Sequence, residues 1–561
     1  MLNHDKQINI FLEQLVTYSV KDIVISPGSR STPLVNNIIK NKHLFNVHLV
    51  LDERSAGYFA LGRSKISNKA TVLICTSGTA TLNYSPAIAE SFYSKVPLIV
   101  ITSDRPMHYR DTGSNQTLIQ SDIYKNNINW FYDIPITEKT NFISNVAYKS
   151  IYLSENAPQG PVHINWQFEE PFTDKDFIKI KSNVRKKITD NKKIILDPEK
   201  LKLFLDMVVN KKGVIVVGSH KFENSEILEL AKIVNWPIIA DPLSNLRKSD
   251  YYENNTIIDT GDMIFREEDK RINSETIIHI GSLPVSKYVS KNMEKANNHI
   301  FIEDSERIAH EFFEIDLHLL SLDIILNALK NQNNLFVNNH EKRNRYFKNL
   351  NNKARESINK NFSQVDEITY KKSIINNLPK NSIYISGNSL PIRILDIILN
   401  KCDDIKFIGN RGLSGIDGNI SIASGISSIT DDHVFLDLGD LAFIHDLGGL
   451  ITAKRNAKNL TIIVNNNGGG QIFNLLPQSK DLVDFYDEWF ITPHENINLS
   501  ELSNSLKIGY FNPTKESELK EIINKEIKNN INIIEMNFKN TDYRNYNSQI
   551  KKVIENINFD E

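Results

Sequence analysis

The chain has 561 residues, with 66 basic and 68 acidic side chains and a net charge of -2. It is long enough for roughly two to four domains and has no overall basic field to hold nucleic acid or an anionic membrane. An apolar fraction of 40% and a charged fraction of 24% are those of a globular protein, so a disordered or fibrous class is excluded. Cys75 and Cys402 lie far apart in apolar stretches and read as reduced thiols rather than as a disulfide or a catalytic pair. No apolar run approaches the roughly 20 residues of a membrane span. The N-terminus lacks the charged-then-apolar order of a signal peptide, so a cytoplasmic location is expected.

From the N-terminus, short β-branched runs alternate with helical patterns. Residues 23–25, 48–51, 72–75 and 98–101 read as buried parallel strands, and 162–164 as a last one. After a charged linker near 179–193 the pattern restarts with strands at 214–217, 238–240, 277–280 and 299–302. A polar helical stretch near 335–365 leads to a third run of strands at 383–385, 405–408, 434–436 and 460–464. Such βαβ alternation implies an α/β fold of three consecutive doubly wound parallel-sheet domains, expected over 1–180, 194–335 and 360–561. Ligands of such sheets sit at the carboxyl ends of strands, and the chemistry-bearing residues are sought there.

In the third unit a strand at 434–438 ends in Gly439-Asp440-Leu441, with a helix opening near Ala442. The strand at 460–464 ends in Asn465-Asn466-Asn467-Gly468-Gly469-Gly470. A carboxylate at one strand end and an amide oxygen at the next can converge on a hard cation such as Mg²⁺, which bridges protein to phosphate. The glycines let backbone groups approach metal and phosphate closely. Each piece alone reads first as a turn or a flexible loop.

In the first unit Asp52-Glu53-Arg54-Ser55-Ala56-Gly57 follows a strand, and small residues at 56, 57, 60 and 62 permit close packing. Burial there would raise the pKa of Glu53; the plainer reading is a carboxylate at a helix N-terminus, favoured by the macrodipole. Arg30, Arg105, Arg393 and Arg411 each stand in a loop after a strand or at the helix start beyond it. A lone Arg is normally a surface ion pair, whereas four at sheet mouths shift the balance to function, since Arg can hold carboxylates bidentately. No unit has a Gly-x-Gly-x-x-Gly turn after its first strand, which argues against a nicotinamide dehydrogenase.

Gly-Asp followed by Asn-Asn resembles the thiamine-diphosphate motif. More narrowly, six runs resemble, in order and over essentially the whole chain, the 2-succinyl-5-enolpyruvyl-6-hydroxy-3-cyclohexene-1-carboxylate synthase (MenD) family. They are Ser26-Pro27-Gly28-Ser29-Arg30-Ser31, Thr102-Ser103-Asp104-Arg105-Pro106, Gly113-Ser114-Asn115-Gln116, Gly387-Asn388-Ser389-Leu390-Pro391-Ile392-Arg393, Asn410-Arg411-Gly412-Leu413-Ser414-Gly415-Ile416-Asp417-Gly418 and Gln471-Ile472-Phe473.

The resemblance implies pyrimidine-binding, central and diphosphate-binding domains, thiamine diphosphate, and Mg²⁺ or Mn²⁺. It implies decarboxylation of 2-oxoglutarate and 1,4-addition of the succinyl carbanion equivalent to isochorismate, in menaquinone biosynthesis. Glu53 would activate the cofactor through its aminopyrimidine ring. Asn388, Ser389, Ile416, Gly439, Asp440, Leu441, Asn467, Gly469 and Ile472 would contact the cofactor, with Asp440, Asn467 and the Gly469 carbonyl as metal ligands. Ser29, Arg30, Arg105, Asn115, Gln116, Lys287, Arg393 and Arg411 would hold the substrates. Ile416 would wedge between the cofactor rings; read from the residue alone, it is equally a core isoleucine.

A homodimer or dimer of dimers is implied as well, with active sites at the subunit interface, because Glu53 and the metal loop would come from different subunits. Two departures stand out. Gly468 occupies a position where relatives usually carry Asp or Asn, which suggests a more flexible loop. The central unit matches only loosely. Another thiamine-diphosphate 2-oxoacid decarboxylase or carboligase, or a non-catalytic anion-binding homologue, are the alternatives.

Overall fold

β-branched runs bounded by polar turns form three six-stranded, all-parallel sheets in this computed structural model. It describes residues 3–173, 180, 196–266, 274–307, 313–330, 340–362, 366–479, 481, 485–494, 497–527, 529–539, 541, 543 and 546–557. The first sheet contains β1 (Asp22–Ser26), β2 (Asn46–Leu49), β3 (Thr71–Cys75), β4 (Leu98–Asp104), β5 (Trp130–Ile134) and β6 (Pro161–Gln167), in the order β2-β1-β3-β4-β6-β5. The second contains β7 (Gly213–Val217), β8 (Ile238–Ala240), β9 (Ile257–Ile258), β10 (Thr276–Ile280), β11 (Asn298–Ile302) and β12 (Leu317–Leu319), in the order β12-β11-β10-β7-β8-β9. The third contains β13 (Ile383–Ser386), β14 (Lys406–Gly409), β15 (Val434–Gly439), β16 (Leu460–Asn466), β17 (Gly509–Phe511) and β18 (Ile531–Asn537), in the order β14-β13-β15-β16-β18-β17. The first and third sheets share one strand order, and the middle sheet has another.

The strands absent from the sequence reading have a physical signature in common. β5, β9, β12 and β17 are all edge strands, short or half-exposed, so no continuous apolar run marks them. β18 lies inside its sheet, yet Asn532 and Glu535 interrupt its apolar pattern. β2 corrects the expectation of a buried strand: it is an edge, with Asn46 and Leu49 exposed and Val47 and His48 half-buried. The helix after β15 begins at Asp440 rather than near Ala442, with Gly439 as its extended N-cap. The polar stretch near 335–365 is a helix over Glu341–Asn361; residues 335–339 and 363–365 lie outside the described residues, as does the linker near 179–193 apart from Ile180. Cys75 and Cys402 are both free thiols. No helix among the described residues is long and apolar enough to cross a membrane.

The first and third sheets are joined through two helices, Glu53–Ser67 and Asn419–Ile429, that pack main chain against main chain. A Cβ at Gly62 would overlap the Ile422 carbonyl oxygen, and one at Gly425 would overlap the Phe59 carbonyl oxygen. Buried Arg63 pins the contact, with its Nη2 2.6 Å from Asp22 Oδ1 and its Nη1 2.5 Å from Ser428 Oγ. Between the second and third sheets, buried Arg247 donates to Asp396 Oδ1 at 2.5 Å and to the carbonyls of Asp396 and Leu399 at 2.9 Å. The helix contact gives a direct prediction. Gly62→Ala and Gly425→Ala each lower stability by about 1–3 kcal/mol through overpacking, read as a lower thermal midpoint; an unchanged midpoint would mean that the helices can move apart freely.

Candidate active site

β15 and β16 are neighbours, so their carboxyl ends set Asp440 and Asn467 side by side. They stand next to the topological switch between β13 and β15, where open α/β sheets bind ligands. Asp440 is buried, and its Oδ1 accepts the Leu441 N–H at 2.7 Å. Its Oδ2 accepts the N–H groups of Asn467 at 3.1 Å and Gly469 at 2.9 Å, so the chain wraps around one carboxylate oxygen. Gly468 and Gly469 take φ values of +79° and +132° to do so, and a Cβ at 469 would overlap the Ile491 carbonyl. Asn and Asp are the side-chain-bearing residues that best tolerate a left-handed backbone. Glycine at 468 therefore meets a conformational requirement of the turn.

Asn467 is oriented from below. Its Nδ2 donates to Tyr543 Oη at 3.3 Å, which donates to Glu367 Oε2 at 2.5 Å. Lys371 Nζ lies 3.9 Å from Glu367 Oε1 and 2.7 Å from Asp437 Oδ2. Asp437 also accepts from Tyr384 Oη at 2.7 Å and Asn465 Nδ2 at 2.6 Å. Burial pushes the Glu367 carboxyl up, and Lys371 opposes it. With its amide nitrogen engaged, Asn467 keeps its buried Oδ1 without a partner.

That orphaned oxygen, the Asp440 carboxylate and the Gly469 carbonyl are the donor types a hard cation takes. No cluster of three or more His, Cys, Asp or Glu among the described residues could hold a metal. One carboxylate and two neutral oxygens leave the remaining positions of an octahedral ion to phosphate oxygens and water.

Asn388 follows β13 and ties the next loop down: its Nδ2 donates to the carbonyls of Asn410 at 2.9 Å and Gly415 at 2.8 Å, and its Oδ1 accepts from Arg411 Nη1 at 3.1 Å. Arg393 Nη1 donates to the Ser389 carbonyl at 2.6 Å. Burial, then repulsion by Arg411, lowers the Arg393 pKa; burial lowers that of Arg411, against the pull of Asp241 and Glu90. Neither guanidinium forms an ion pair among the described residues, so the couple suits an anion. Ile416 is 41% exposed, which separates it from the core. Leu441 and Ile472 are half-buried on the same sheet edge, and Gly439 faces open space.

A second group forms at the carboxyl ends of β1 and β4. Arg30 Nη1 donates to the Phe168 carbonyl at 2.9 Å, and its guanidinium lies 4.7 Å from the Phe172 ring centre. Arg105 Nη1 donates to Ser77 Oγ at 2.7 Å and the Gln116 carbonyl at 2.6 Å, and Gln116 Nε2 donates to the Ser77 carbonyl at 3.0 Å. Burial, then Arg105, lowers the Arg30 pKa. Ser29 and Asn115 are exposed on the adjoining turns. Glu53 opens its helix behind Asp52, whose Oδ1 accepts the Ser55 N–H at 3.0 Å. Burial raises the Glu53 pKa, Asp52 adds to this, and a hydrogen bond with Asn83 opposes it.

The expected residues thus fall into separate groups. Among the described residues no hydrogen bond or ion pair joins Glu53, Arg30 or Arg105 to Asn388, Arg393, Arg411, Asp440 or Asn467. Lys287 is exposed at the start of the helix Lys287–Met293, with its Nζ 5.2 Å from the Tyr288 ring centre, and no described contact takes it to either arginine pair. Three polar neighbours escaped the sequence reading. Ser77 could have been found from the Thr76-Ser77-Gly78 turn that directly follows β3. His494, with Nε2 2.8 Å from Asp440 Oδ2, and Tyr543 arrive from distant segments with no local signature.

Residues 7–125 match the family model described as "Thiamine pyrophosphate enzyme, N-terminal TPP binding domain", and residues 400–536 match the corresponding C-terminal TPP binding domain. The chain is 33% identical over 510 residues to the 2-succinyl-5-enolpyruvyl-6-hydroxy-3-cyclohexene-1-carboxylate synthase of Staphylococcus haemolyticus, covering 88% of each chain. It is 35% identical over 514 residues to the protein of the same name from Listeria innocua, covering 86% of each. For that of Bacillus pumilus the identity is 32% over 548 residues, 93% of this chain and 92% of the relative.

The buried network under Asn467 carries a stability prediction. Lys371 and Asp437 are 1% and 0% exposed, so Lys371→Met leaves a buried carboxylate uncompensated and costs about 3–5 kcal/mol, read by thermal denaturation. A loss below about 1 kcal/mol, the range of exposed pairs, would contradict that assignment.

Proposed function

The chain belongs to the 2-succinyl-5-enolpyruvyl-6-hydroxy-3-cyclohexene-1-carboxylate synthase family of thiamine-diphosphate enzymes, and on that premise we propose that it joins 2-oxoglutarate to isochorismate. The product is the named carboxylate, an intermediate of menaquinone biosynthesis. Thiamine diphosphate supplies the stabilised carbanion chemistry by which 2-oxoglutarate loses CO₂ and its succinyl unit adds to isochorismate in a 1,4 sense. The protein's share is to bind, orient and move protons.

In this reading Asp440, Asn467 and the Gly469 carbonyl would hold Mg²⁺ or Mn²⁺, whose charge would help bind the cofactor diphosphate. Gly439, Leu441, Asn388, Ser389 and Ile472 would line the cofactor, and Ile416, whose side chain is exposed, would wedge between its rings. Glu53, its pKa raised by burial, shares a proton with the aminopyrimidine ring. Arg393 and Arg411 from one sheet edge, and Arg30 and Arg105 from the other, hold the dianionic substrates, with Ser29, Asn115 and Gln116 beside them and Lys287 at the central domain. The observation that carries the reading is the juxtaposition, at the carboxyl ends of one sheet's strands, of the oxygen-rich turn at Asp440 and Asn467 with the Arg393–Arg411 couple, which forms no ion pair among the described residues.

Glu53 and Asp440 belong to separate groups, and a second copy of the chain would complete the site. Apolar surface beside the Glu53 helix start supports this: Leu51 is 81% and Leu82 46% exposed. The first domain would then bind the pyrimidine end and the third the diphosphate end, in different subunits of a dimer. Another thiamine-diphosphate carboligase would share Glu53 and the metal turn but would not call for four arginines.

The decisive assay follows consumption of 2-oxoglutarate and isochorismate together, with thiamine diphosphate and Mg²⁺ omitted in turn. Turnover is expected to require both. Release of succinic semialdehyde without isochorismate consumption would overturn the reading. Glu53→Gln is expected to lower kcat by about 10²–10⁴-fold with little change in thermal midpoint; near-normal turnover would mean that Glu53 is misassigned.

A further inference from the structure

Contacts from the first domain converge on one segment of the third, residues 409–418, which run from the last residue of β14 to the helix Asn419–Ile429. That loop carries both Arg411 and Ile416. Glu90, 2% exposed on the helix Ser85–Tyr93, accepts the N–H of Gly412 at 2.8 Å through Oε1 and that of Leu413 at 2.6 Å through Oε2. Ser94 Oγ donates to the same carboxylate. Gly412 is seated so tightly on the end of this helix that an added Cβ would lie 2.5 Å from Ser94 Oγ, 2.8 Å from its backbone nitrogen and 2.9 Å from the Glu90 carbonyl oxygen. Two further anchors flank the grip: Lys65 Nζ donates to the Gly409 carbonyl at 3.0 Å, and Tyr58 Oη donates to Asp417 Oδ2.

We propose that Glu90 is a positioning residue for substrate binding: its carboxylate grips two successive backbone N–H groups and thereby fixes Arg411, immediately before them, in the geometry that receives a substrate carboxylate. A carboxylate that accepts two N–H groups makes charge-assisted bonds stronger and more directional than neutral ones. The grip sets the loop before a ligand arrives, so binding does not have to order it. The same negative charge helps Arg411 keep its proton against burial. A neutral amide at position 90 keeps only one of the two acceptor oxygens and, in the same geometry, sets its own NH₂ against the other N–H. Glu90 touches no reacting atom in this account and acts only through the loop.

The inference rests on the reading of Arg411 as a substrate contact, and the test separates the two. Steady-state kinetics are measured on the full chain with thiamine diphosphate and Mg²⁺ for the wild type, Arg411→Ala, Glu90→Gln, the double variant and Gly412→Ala. Arg411→Ala is expected to raise the KM of one substrate. Glu90→Gln should raise the KM of that same substrate about tenfold, with a smaller effect on kcat and on the other KM. The double variant should be no worse than Arg411→Ala within about threefold, because residues acting through one contact are not additive. Gly412→Ala displaces the loop while leaving the carboxylate in place, and should reproduce the Glu90→Gln pattern. It also carries the test if Glu90→Gln does not fold.

Additive losses in the double variant, or an unchanged KM in both loop variants while Arg411→Ala raises it, would overturn the role of Glu90 alone. No KM change in Arg411→Ala would overturn the substrate reading of Arg411 and the inference with it.

Discussion

Two helices touching through glycine set the geometry on which the rest depends. In the pair Glu53–Ser67 and Asn419–Ile429, main chains meet where Gly62 faces Ile422 and Gly425 faces Phe59. Glycine inside a helix costs about 1 kcal/mol relative to alanine, and here that loss is offset by an approach no side chain would allow. The contact makes the first and third sheets parts of one body. It also fixes what lies at the helix ends: Glu53 at the start of one, and the 409–418 loop leading into the other. Local sequence, packing and site geometry are linked at this one interface.

A second theme is the division of charge into balanced and unbalanced sets. Arg63 with Asp22, Arg247 with Asp396 and Lys371 with Asp437 are buried ions whose partners lie within 2.7 Å. Arg247 with Asp396 joins the second sheet to the third, Arg63 reaches from the first to the third through Ser428, and Lys371 with Asp437 shapes the floor beneath Asn467. Arg30 with Arg105, and Arg393 with Arg411, are the reverse: within each pair the like charges repel, and among the described residues the guanidinium groups donate only to neutral oxygens. Arg110 shows how narrow the difference is. It lies five residues beyond Arg105 and is neutralised by Asp104 at 2.9 Å and Asp133 at 2.8 Å. The side chain is the same; the neighbours decide whether it serves structure or ligand.

The sequence alone determined the fold class, because interior strands of parallel sheets are buried on both faces and read as apolar runs, as over residues 72–75, 214–217 and 434–436. Strand-end position told where ligands of such sheets bind, and the contiguous runs around Asp440, Asn467 and Arg411 carried the family resemblance that implied the cofactor class and the candidate residues. Edge strands such as β5 and β17 were not legible, since one side of an edge needs no apolar partner. Tertiary structure decided everything that depends on segments remote in the chain. Tyr543 reaches Asn467 from 76 residues away, and Glu90 reaches Gly412 across 322. It also decided that Ile416 is outside the core, that Gly468 answers a left-handed turn, and that Glu53 and Asp440 fall in separate groups of one chain. Spacing along a sequence reports local periodicity and turn chemistry; a hydrogen bond between distant segments exists only once packing has brought its donor and acceptor together.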